Sequence, residues 1–158
     1  MSIFETSPLG VLAVSAESSV GKAVSTRSNI FEMTQLAESA VLRPMEYGMF
    51  PHDVRAALAY RIAVSAGETR LAEYYAALVG DKFNLSDYIM IEGEPESTLI
   101  PFVDKAANDT KNIVAEDISK LQAVGVSDAD IVRLCELIAF VAYQLRVAAG
   151  LRLINGAV

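Results

Sequence analysis

The chain has 158 residues, 53% of them apolar, and its 20 acidic and 13 basic side chains give a formal charge of -7. One domain accommodates this length, and a negative balance without a local basic patch excludes nucleic acid and anionic lipid as expected partners. The single cysteine, Cys135, excludes an internal disulfide framework and a four-cysteine metal site, and a mean hydropathy of +0.34 points to a homo-oligomer that covers surplus apolar surface.

Residues 1–28 are rich in serine and small side chains and are expected to form a flexible or extended arm, with a single helical domain over 29–158. The opening MSIFETSPLG has neither a positive start nor a sustained apolar core, so a cytoplasmic location is expected. Gly21-Lys22 is not a phosphate loop, because Ala16 replaces its leading glycine and Ala23 the hydroxyl residue that would meet magnesium. Asn29 is placed to cap a short amphipathic helix on which Ile30, Met33, Leu36, Ala37, Ala40 and Val41 recur at helical spacing until Pro44.

Pro51 and Asp53 introduce an alanine-rich helix through about residue 66, with Gly67 as its exit. A short connection makes the next helix, 69–79, its antiparallel neighbour. Residues 80–101, with Glu92-Gly93-Glu94-Pro95-Glu96 at their centre, read as an exposed loop. From Pro101 a less regular helix runs towards Gly125, with Asn108 to Asn112 as a break point.

The last helix opens at Ser127, with Asp130 three residues on, and is expected to end before Gly150. Ile131, Leu134, Cys135, Ile138, Val141, Ala142 and Leu145 form one apolar face, while Leu137, Phe140 and Val147 make the other side greasy too. This helix is therefore central or sandwiched at a subunit contact that includes Leu137 and Phe140. Its greasy stretch, 137–151, is interrupted by Gln144 and Arg146 and falls short of the roughly 18–20 residues that cross a bilayer, so no membrane association is expected.

Few side chains carry chemistry. His52, the only histidine, is expected to be a helix-terminal or surface residue, with a general base as its alternative role. Cys135 is expected to be a buried packing thiol. Arg146 lies beside the same face, as a buried arginine paired with Asp53 or Glu73 or as a ligand for a carboxylate. Tyr60, Tyr74, Tyr75 and Tyr143 are candidates to line a pocket for a small organic molecule, with core and interface packing as the alternative. No metal spacing and no cofactor motif is present.

The segment FPHDVRAALAYRIAVSAGETRLAEYYAALV, followed by GVSDADIVRLCELIAFVAYQLRVAAGLRLI and preceded by NIFEMTQLAESAVLRP, resembles the alkylhydroperoxidase-like, or carboxymuconolactone decarboxylase, superfamily over about residues 29 to 154. The resemblance implies a compact all-α, multi-helix fold that assembles into homo-oligomers. In redox-active members it also implies a glutamate, a Cys-x-x-Cys pair and a histidine four residues later. Here Ala56 stands in the place of the glutamate, Glu68 and Leu71 in those of the cysteines, and Tyr75 in that of the histidine. The expected function is thus that of a catalytically degenerate member that binds a small molecule or a related protein, without thiol-dependent peroxidase activity. The alternative is a cysteine-independent decarboxylase or isomerase for a small organic acid, using Arg146 with His52 or Tyr75.

Overall fold

A computed structural model describes residues 2–79 and 95–156, and these residues are all-α, without a strand among them. The helices are α1 (Ser7–Val11), α2 (Ser19–Ser25), α3 (Ser28–Leu42), α4 (His52–Ser65), α5 (Thr69–Val79), α6 (Pro95–Asn108), α7 (Ala115–Ala123) and α8 (Asp128–Ile154).

The N-terminal segment is folded into the body, contrary to the expected arm. A 3-10 turn at Ile3–Glu5 is closed by Ser2 and Glu5, and α1 places Leu9 out of contact with solvent against α5 and α8. Leu12, Val20 and Val24 extend the same core, which is why a serine-rich stretch is ordered here. Gly21 is a packing glycine: a Cβ on it would lie 2.0 Å from the Ser15 carbonyl oxygen.

α4 and α5 form the most extensive helix pair, joined through Gly67 at φ +71. Small buried residues, Ala59 and Ala63 on α4 and Ala72 on α5, let the two backbones approach. The connection from α3 to α4 is clamped by Arg55, whose guanidinium is buried and donates to the carbonyls of Phe50 (2.8 Å), Val41 (2.8 Å) and Tyr47 (3.0 Å). Burial and the charge of Arg133 pull its pKa below the ordinary arginine value. Asp130 at the start of α8 holds the same connection by accepting from the Met49 N–H at 3.0 Å. Burial opposes its ionisation, but hydrogen bonds from Ser127, Met49 and Arg133 outweigh this and hold its carboxyl below the usual range. Gly48, at φ +59, is required because a Cβ there would sit 2.0 Å from an Asp130 oxygen.

α6 begins at Pro95, so residues 95–101 are helical where a loop was expected, while 80–94 lie outside the described residues. The expected break follows α6 as a 3-10 turn, Thr110–Asn112. α8 is the central helix, touching α1, α3, α4, α6 and α7. It runs through Gly150 to Ile154, because Ala148 and Leu151 are buried on either side of the glycine. Leu137 and Phe140 are covered by their own chain, which removes them from any subunit contact. By length and composition α8 is apolar enough to cross a membrane. In this fold that apolarity packs Ile131, Leu134, Leu137 and Val141 into the core.

Candidate functional site

α8 turns two faces to different environments. On one, Cys135, Ile138, Ala139, Ala142 and Arg146 recur at helical spacing and floor a groove of ≈ 580 Å³. Phe102 and Ala106 of α6 form one wall, and Ile113 and Ile118, on either side of the α7 start, form the other. Neither wall covers this stretch of α8, so Cys135, Ala139 and Arg146 stay exposed along the groove.

Cys135 is therefore exposed in this groove, not buried as a packing thiol. Partial desolvation and the neighbouring Glu136 push its pKa up, which disfavours the nucleophilic thiolate. Arg146 is exposed at the groove and pairs with neither Asp53 nor Glu73; its guanidinium donates to the Ala142 carbonyl of its own helix at 3.0 Å. Among the described residues no carboxylate lies in ion-pair contact with it.

The remaining candidates do not join this groove. His52 is exposed at the start of α4, its Nε2 2.9 Å from the Pro44 carbonyl and its ring edge-on to Tyr47. Tyr75 is fully buried, and burial followed by the charge of Glu38 pushes its pKa well up. Tyr60 lines two shallow clefts beside α4, Tyr74 bonds Glu38, and Tyr143 bonds Thr34 at 2.9 Å, so among the described residues the four tyrosines have different surroundings.

The other face of α8 carries a polar cluster that sequence reasoning missed. Glu38 of α3 is buried, with Oε1 accepting from the Tyr74 hydroxyl at 2.5 Å and the Gln35 amide at 3.2 Å. Its Oε2 accepts from the Gln144 amide of α8 at 2.9 Å. The same Gln144 nitrogen donates to the Ser7 hydroxyl at 2.8 Å, and Gln35 accepts from the Ser7 N–H at 2.9 Å. Burial, then the hydrogen bond to Glu38, raises the pKa of Tyr74. Two atoms at this cluster, Tyr75 Oη and Gln144 Oε1, are buried without a partner among the described residues. The available signal was the spacing of Phe31, Thr34, Glu38 and Leu42, the buried face of α3.

Glu68, in the place of the first cysteine of the resembled motif, is buried and ion-paired with Arg152 near the end of α8. Leu71 is buried core. Among the described residues no group of three His, Cys, Asp or Glu side chains is arranged to hold a metal ion. No family model, curated protein or solved structure matches this chain.

Proposed function

We propose that this is a catalytically degenerate alkylhydroperoxidase-like protein that binds a small amphiphilic anion in the α6–α7–α8 groove. The observation that carries the reading is an apolar trough of ligand-binding size with a guanidinium at it that has no carboxylate partner among the described residues. The trough would take a hydrocarbon body and Arg146 a carboxylate or sulfonate head. The Glu68–Arg152 pair and the unactivated Cys135 thiol support the absence of peroxidase turnover. Binding is favoured over a decarboxylase or isomerase, because His52 and Tyr75, the proton carriers that such chemistry would use, lie outside the groove.

Calorimetry with decanoate and with the uncharged decanol tests this. Decanoate is expected to bind saturably and decanol more weakly. Arg146→Gln should weaken decanoate by about tenfold, the equivalent of about 1.4 kcal/mol, and leave decanol unchanged. Ala139→Trp should abolish both by filling the trough. Binding indifferent to Ala139→Trp, or no binding of either compound, would overturn the assignment.

A further inference from the structure

The groove over α8 has a direction as well as a volume. Cys135, Ile138, Ala139, Ala142 and Arg146 fall within about 100° of arc, so its floor is a straight strip along the helix. From Cys135 to Arg146 the strip is eleven positions long, about 16 Å at about 1.5 Å per residue.

Contacts outside the groove order its two ends. Gln122 near the end of α7 donates to Asp128 at the start of α8 at 2.7 Å, so α7 runs back along α8 from there. Lys105 of α6 pairs with Asp117 in the first turn of α7, and Phe102, Lys105, Asp117 and Lys120 border one further cleft. α6 and α7 are therefore an antiparallel hairpin, and α6 runs in the same direction as α8. At the other end, Asn108 of α6 reaches Ser65 at the end of α4 (3.5 Å), and Glu68, three residues on, pairs with Arg152 of α8. This order puts Phe102, Ile118 and Cys135 at one end of the groove and Thr110 and Arg146 at the other.

The ends differ in chemistry. Among the described residues that line the groove, Arg146 carries the one charge, and the Thr110 hydroxyl, 2.6 Å from the Ala106 carbonyl, lies at the same end. The opposite end is walled by an aromatic ring and a branched hydrocarbon. A compact acid held by Arg146 would leave the far end wet, whereas a straight chain would cover the whole strip. Staggered carbon–carbon bonds of about 1.5 Å advance an extended chain by about 1.25 Å each, so about 13 of them span the floor.

We infer that the groove takes an unbranched acyl carboxylate of about 12–14 carbons, with its head on Arg146 and its terminal methyl beside Cys135. This rests on the groove assignment above and adds the length and direction of the occupant.

Calorimetry of the full chain with saturated acids from hexanoate to hexadecanoate, below the concentrations at which they form micelles, tests the inference. Affinity should rise by about tenfold for each two added carbons up to dodecanoate, and by less than about twofold beyond tetradecanoate, where the chain passes out of the groove. Maleimide labelling of Cys135 at equal occupancy supplies a second ruler. Hexanoate should leave the rate unchanged, decanoate should slow it, and tetradecanoate should slow it by at least about tenfold. Cys135→Trp, at an exposed position, should keep the far-UV circular dichroism of the wild type and cancel the gain in affinity from decanoate to tetradecanoate. Affinity independent of chain length, or protection of Cys135 by hexanoate as strong as by tetradecanoate, would overturn the length and direction and leave the groove assignment standing. No binding by any of the acids would remove the groove assignment and this inference with it.

Discussion

The two faces of α8 differ in how they treat polarity. Towards α3, Gln144 is sealed from water and wired to Glu38 and Ser7; about three turns of helix span the groove side, where Cys135, Ala139 and Arg146 stay open. A buried polar group costs its full desolvation when a partner is removed, whereas an exposed one returns to water. The Glu38 cluster is therefore expected to act on stability, and the groove on binding.

The largest effect that would sharpen this contrast is Glu38→Ala. It leaves Gln144 and Tyr74 facing a void, and the unfolding free energy should fall by about 3 kcal/mol in urea titration. A loss no greater than that of a surface substitution would remove the cluster from the structural ledger.

Smaller and internally controlled is the tyrosine pair. Tyr74→Phe deletes a hydrogen bond to a carboxylate and should cost about 1.5–2 kcal/mol. Tyr75→Phe removes a buried hydroxyl without a partner and should be neutral or stabilising. Both phenols have folded pKa values raised above the unfolded one. Their contribution is thus fully present below the unfolded tyrosine pKa near 10 and is lost as pH rises beyond it. Alkaline unfolding should accordingly move to higher pH in Tyr75→Phe. Identical behaviour of the two variants would break the distinction between them.

The smallest effect belongs to the groove. Cys135→Ala removes an exposed sulfur, so stability should change by less than about 0.5 kcal/mol. A maleimide should label the folded protein, more slowly than a free thiol because the raised pKa leaves little thiolate, and decanoate should slow it further. Labelling only after denaturation would return Cys135 to the core.

Much of the helical framework is legible in the sequence, because local signals and packing agree there. Pro51 and Gly67 bracket α4, and Ser127 with Asp130 opens α8. The N-terminal segment is not legible, since Leu9, Leu12, Val20 and Val24 are spread over two helices too short for a periodic stripe. Gly150 misleads because an interior glycine costs only about 1 kcal/mol, less than burial of Leu151 provides. For the site, helical angles place Cys135 and Arg146 near one another, but the groove over them depends on how α6 and the segment around the α7 start pack against α8, which no local pattern encodes. Arg55 stayed hidden because its partners are backbone carbonyls, which carry no side-chain signal, and Glu38 because Tyr74 and Gln144 lie far along the chain.

The Arg55 clamp also bears on where the polypeptide tolerates being lengthened. Chain connections generally accept inserted sequence because their backbone polar groups face water. Between α3 and α4, however, the carbonyls of Val41, Tyr47 and Phe50 are gathered on one guanidinium, so an epitope tag spliced there would pull the ligands from a cation that has no other place to go. At the exposed turn of Gly125, by contrast, a Cβ would meet nothing within 4 Å, and a reporter peptide spliced there is expected to be tolerated better than one between α3 and α4.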